Sequence, residues 1–250
     1  DARLTNFRRL DLWIFLMVVT LAGCKLAPEF IHHPQPELTV DVSVFEDAGC
    51  PQNEYGGLIC SDDSPLADLG CDLLAAPSNF MGGLDPAYPI AKCYFQSFLH
   101  YDDWDLIYQV EDEGFVYSYG GLDLVYIRYV IYKEGEFELI KTLEEMQNTF
   151  APIASSTEAL SYALASDDFF PFYEIAYEND LRYLAEVVED THVKEVERGY
   201  QVHLYYYRLY GCGPHITSAV DVLVTHQGEI EELLWEEMFK DPEEDNLCVD

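Results

Sequence analysis

Four histidines, His192, His203, His215 and His226, fall near successive apolar runs in the C-terminal part of the chain, and neutral imidazoles gathered by a sheet are good ligands for transition metals. Whether two of them share a face depends on hairpin register, because a slip of one residue sends a side chain to the opposite side. His192 and His203 are expected to face together only if Arg198-Gly199 is the two-residue turn between their strands. No H-E-x-x-H or H-x3-H spacing accompanies them. Scattered surface or core histidines are therefore expected, with no metal ligand and no cofactor assigned. The acidic clusters Asp102-Asp103-Trp104-Asp105 and Asp241-Pro242-Glu243-Glu244-Asp245 offer oxygens suited to calcium, yet neither has the central Gly and final Glu of a helix-loop-helix calcium loop. They read as solvated acidic loops. With 47 Asp and Glu among 250 residues, nearly any fold brings some pair to the separation used in glycoside hydrolysis, so no pair stands out. The G-x-S-x-G, phosphate-loop and G-x-G-x-x-G patterns are absent, and no catalytic residue is assigned.

Nineteen Tyr and three Trp supply another kind of chemistry, stacking against sugars or a protein partner. Tyr101 and Trp104 lie beside the first Asp cluster, and Tyr205-Tyr206-Tyr207 share one strand. A strand alternates its faces, so Tyr206 opposes Tyr205 and Tyr207 and one set belongs to the core. Packing is expected over recognition.

The elements that position these residues can be read from periodicity. Residues 41–100 hold four cysteines and many turn formers, a disulfide-stapled, loop-rich stretch. From Trp104 to Ile140, short runs rich in Tyr, Val and Ile, broken at Glu113-Gly114, Gly120-Gly121 and Glu134-Gly135, predict antiparallel strands with tight turns. Thr142-x-x-Glu145 and Ser155-x-x-Glu158 have capping-box form, the second leading into Ala159, Leu160, Ala163 and Leu164 at helical spacing. Two short helices separated at Pro152 follow. Beyond Phe169, strands are predicted over about 171–177, 191–197, 200–209, 216–226 and 229–236, with turns at Arg198-Gly199 and Gln227-Gly228. Leu181, Leu184, Ala185 and Val188 could instead lie on one face of a short helix. Short helices with antiparallel hairpins, ending in a helix-plus-antiparallel-sheet unit, make an α+β fold. The expected organisation is 1–23, 24–40, 41–150 and 151–250.

The chain is 49% hydrophobic and 14% aromatic, enough for a substantial core. Its formal net charge of -34 repels phosphate backbones and argues against nucleic-acid binding. Past Cys24 there are six cysteines. The nearest neighbours in sequence pair as Cys50 with Cys60, Cys71 with Cys93, and Cys212 with Cys248. No C-x2-C spacing favours zinc instead.

Arg3, Arg8 and Arg9 precede an uninterrupted apolar run from Leu12 to Val19, a signal-peptide layout. The run ends in Leu21-Ala22-Gly23-Cys24, which resembles the lipobox of bacterial lipoproteins. Asp11 at the edge of the run departs from the pattern. The resemblance implies cleavage before Cys24 and diacylglycerol on its sulfur, so residues 1–23 are a signal peptide and Cys24 a membrane anchor. The run is about half the length a transmembrane helix needs. Residues 24–40, with Pro28, Pro34 and Pro36, then read as a semi-extended tether. The unit from Ser155 to Glu237, with Gly199-Tyr200-Gln201-Val202 and Gly228-Glu229-Ile230 as hairpin phrases, resembles PepSY-like or cystatin-like domains, which implies binding or inhibition. Cys212-Gly213-Pro214-His215 resembles the thioredoxin-type redox motif with its second Cys replaced by His. Dithiol exchange needs both sulfurs, so a structural disulfide is expected.

These features together point to an exported, lipid-anchored envelope or surface protein outside the cytoplasm, a non-catalytic module that binds a protein, a glycan or a small ligand. Two alternatives stay open: an extracellular hydrolase using carboxylates near Tyr101 to Tyr119, and a divalent-ion-dependent adhesion or sensing module.

Overall fold

The computed structural model describes residues 27–54, 57–61, 63–69, 73–97, 117–119 and 124–249. They form a mixed α+β fold with two main antiparallel sheets and a few short helices. The first sheet has the order β2 (Gly57–Leu58), β3 (Leu73–Ala75), β4 (Ile90–Ser97), β6 (Leu124–Lys133) and β5 (Tyr117–Tyr119), with β7 (Glu136–Ile140) also paired to β6. The second has the order β10 (His192–Val196), β11 (Gly199–Tyr207), β13 (Ile216–Thr225), β14 (Ile230–Lys240) and β8 (Arg182–Tyr183). Of the Cys-rich stretch, the sequence reading missed α1 (Ser43–Asp47) and the eight-residue strand β4.

Helices α2 (Leu143–Phe150) and α3 (Ser156–Ser166) start where the capping patterns place them. Thr142 and Glu145 form the complete box. At α3 the Ser155 hydroxyl accepts from the Glu158 amide, but the Glu158 carboxylate reaches one residue further back and accepts from Ala154 at 2.7 Å. Helix α3 is buried along nearly its whole length. Its Ala159, Leu160 and Ala163 pack with Ile127, Tyr129 and Ile131 of the first sheet and Val202, Val220 and Val222 of the second in one continuous core. That core draws on both sides of residue 150. A second cluster gathers Phe45, Cys50, Leu74 and Cys93, and a third lies under Ile175, Val188, Tyr205 and Phe239.

The first hairpin forms with its turn displaced by one residue, and the second with a loop that contains the expected Gln227-Gly228. Val196 pairs with Gly199, so the two-residue loop is Glu197-Arg198, one position earlier. The reason is close approach: a Cβ on Gly199 would sit 2.1 Å from the Val224 carbonyl oxygen, so Gly199 belongs in the strand, pressed against its neighbour. The second loop has three residues. Thr225 N–H donates to the Glu229 carbonyl, and Gly228 takes the positive φ that such loops require.

Three further expectations are corrected. Residues 171–177 make no strand; only Phe170 bridges to Tyr205. The amides of this stretch find side chains instead of a ladder, Phe172 donating to the Thr191 hydroxyl and Glu174 and Ile175 to the Asp190 carboxylate. The stretch that could have been a helix near Leu184 forms β8 and β9 (Val187–Glu189): β8 pairs with β14 and β9 with residues 29–31, while Leu184 and Ala185 between them donate to the Met238 carbonyl. The segment read as a tether is docked in part. Residues Glu29–Ile31 form β1, a parallel partner of β9, and Phe30 packs edge-on against Tyr183 at 5.8 Å.

Cys50 is bonded to Cys60, and Cys212 to Cys248, the latter pair directly opposed in the short ladder of β12 (Gly211–Cys212) and β15 (Cys248–Val249). Cys93 is also disulfide-bonded; Cys71, its expected partner, and Cys24 lie outside the described residues. With Cys212 in a strand and bonded to a distant cysteine, Cys212-Gly213-Pro214-His215 is structural.

Candidate functional site

One row of side chains crosses the second sheet: His192, His203, Asp221 and Leu234 are successive register partners on β10, β11, β13 and β14. The row follows from β alternation once Gly199 fixes the first hairpin. Above it lies a groove of about 310 Å³ that also touches Glu189, Gln201 and Glu236. The His203 Nδ1 is 2.6 Å from the Asp221 carboxylate, and the Gln201 amide donates to the other carboxylate oxygen at 3.0 Å. Burial pushes the Asp221 carboxyl up, but the hydrogen bond and charge of His203, with help from Gln201 and His192, outweigh it and hold it below its ordinary range. The other ring nitrogen, His203 Nε2, is buried with no hydrogen-bond partner among the described residues.

The row is extended at its β10 end by a residue from far away in sequence. His33, two positions past β1, stacks on the His192 ring at 4.3 Å, and His192 in turn stacks on His203 at 5.1 Å. The His33 Nε2 lies 2.7 Å from a Glu189 carboxylate oxygen, which is also 3.7 Å from His192 Nδ1. His192 Nδ1 is 3.0 Å from the Asp190 carbonyl oxygen, to which it donates. Three imidazoles thus lie in a file with carboxylates along it, an arrangement able to bind a cation or relay a proton.

Asp190 holds the file in place. Its carboxylate is almost fully buried and accepts four donors: His32 Nδ1, the His33 amide, the Glu174 amide and the Ile175 amide. Burial opposes its charge, yet these donors together keep its carboxyl below the ordinary range. One carboxylate therefore ties β1's exit and the 174–175 turn to the sheet.

Of the histidines singled out by sequence, His192 and His203 meet, although the turn is Glu197-Arg198 and not the Arg198-Gly199 on which their meeting was expected to depend, because a two-residue shift of register keeps the same face; the other two do not. His215 is buried with its ring bridging the Arg208 and Leu247 carbonyls, and His226 reaches the Ile153 carbonyl. His33 and Glu189 were missed, since no local spacing links a His-His-Pro segment to a strand more than half the chain away. The Asp241–Asp245 cluster is occupied internally: Asp241 caps the turn that follows it, Glu244 accepts from Tyr207, and Asp245 pairs with Lys240. Asp102, Asp103 and Asp105 lie outside the described residues, as does most of the stretch from Tyr101 to Tyr119. Tyr205 is wholly buried, and Tyr206 packs on Trp235 at 5.1 Å, so this tyrosine run is used chiefly for packing.

Fold and site define an α+β protein carrying an imidazole–carboxylate file at the margin of an antiparallel sheet. No family model matches the chain, and no curated protein or solved structure matches it either.

Proposed function

We propose that this chain is an exported, lipid-anchored envelope or surface protein that serves as a non-catalytic binding module, with its ligand received in the groove over His192, His203 and Asp221. The observation that carries the reading is the pair of disulfides, Cys50–Cys60 and Cys212–Cys248. Such bonds persist in oxidising compartments, which agrees with the basic-apolar-Cys24 leader. Among the described residues no helix is long and apolar enough to cross a membrane; this reading assigns attachment to Cys24. Metabolic labelling with palmitate in a bacterial host tests the anchor. The chain should take up label and fractionate with membranes, and Cys24→Ala should abolish both; an unlabelled wild-type chain overturns the anchor.

The site favours one form of this reading, a module that senses or carries a divalent ion, because the groove ends in nitrogen and oxygen donors of the kind such ions take.

A further inference from the structure

We propose that His33, Glu189 and His192 form a binding site for a borderline divalent transition ion of the zinc class. One ligand atom from each lies within 4.8 Å of the others. A tetrahedral ion with bonds of about 2.0–2.2 Å holds its ligand atoms roughly 3.4 Å apart, so small rotations close the set. The side chains have that freedom: they are 30%, 33% and 28% exposed, near enough to solvent for an ion to enter. Two imidazoles with one carboxylate select against calcium and magnesium, which want an all-oxygen shell, and match zinc, cobalt or nickel.

The surroundings are those of a held site. His203 stacks behind His192 with its own ring oriented by Asp221, and Asp190 fixes the His33 backbone through its amide. Such outer contacts orient ligating rings. Three protein ligands leave a fourth position at which solvent or a bound molecule can complete the shell. The chain's large negative charge gathers cations around the site without choosing among them; the imidazoles supply the choice.

This inference rests on the binding-module reading and names its ligand, but it is tested without reference to lipid. The full chain, purified in detergent with disulfides intact and stripped with chelator, is titrated with zinc alone by calorimetry near neutral pH, in millimolar magnesium and calcium. One ion per chain should bind with micromolar or tighter affinity, and His33→Ala, Glu189→Gln and His192→Ala should each weaken it at least about tenfold. Each variant's metal-free melting temperature shows whether it still folds; His33, beside the edge strand β1, is the variant least able to unfold the body. Cobalt should give a visible d–d spectrum that is lost in His33→Ala. Absence of binding, binding that magnesium displaces, or affinity unchanged in a folded His33→Ala variant overturns the site, and any of these leaves the palmitate result untouched.

Discussion

Asp190 shows how much one side chain can decide. With four donors on a carboxylate almost out of solvent, Asp190→Ala leaves several of them unsatisfied. Truncation should destabilise the protein by about 3 kcal/mol, measured by urea unfolding, and should loosen the segment around His33 before the sheet itself, measured by amide exchange. Glu158 makes the opposite case. Burial pushes its carboxyl above the ordinary value of 4.5, helped by the charge of Asp85, and the Ala154 and Ser155 hydrogen bonds only partly offset this. The folded chain therefore holds this proton more tightly than the unfolded chain. Stability should fall as pH rises from about 4.5 through the raised value, and Glu158→Gln should flatten that part of the curve, followed by thermal melts across pH. Neither role was legible beforehand. Asp190 appears in the sequence as one acid among 47, and only tertiary folding brings donors from residues 32–33 and 174–175 to it.

At the scale of elements, local rules carried further. The two helices were placed because capping chemistry is written within four residues, as Thr142 and Glu145 illustrate; Thr142→Ala should cost about 1 kcal/mol. Alternation and Gly-containing turns place hairpin strands at about 191–197, 200–209, 216–226 and 229–236, and strands form there with shifted ends, the last running on to Lys240. The exact first turn was not legible, since Gly199 is required by a neighbouring strand rather than by its own loop. Gly199→Ala drives a methyl group into the Val224 carbonyl, and the expected loss exceeds about 2 kcal/mol, with a shift in the His203 ring signals as β11 and β13 part. Segments whose partners are remote went unread. β1 exists only because β9 offers it a free edge, and residues 171–177 stay out of a ladder because side chains satisfy their amides.

For the whole molecule, the α+β class followed from the mix of patterns, whereas the single core joining both sheets through α3 is a property of packing that periodicity does not state. The disulfides act at this scale too, by limiting the unfolded chain. The Cys212–Cys248 link closes a span of 36 residues and Cys50–Cys60 one of 10. On chain-entropy grounds the first should contribute about 4 kcal/mol and the second about 3. Double Ser replacement of Cys212 and Cys248 should therefore lower the melting temperature more than replacement of Cys50 and Cys60. The docking of β1 also sets a length. With Cys24 acylated as proposed, the stretch from Cys24 to Glu29 spans no more than about 17 Å at roughly 3.4 Å per residue. That is about two screening lengths in physiological salt. On that proposal the body would ride close above the bilayer, and its groove would draw on the layer of counterions that a charged membrane collects, where cations are more concentrated than in the bulk.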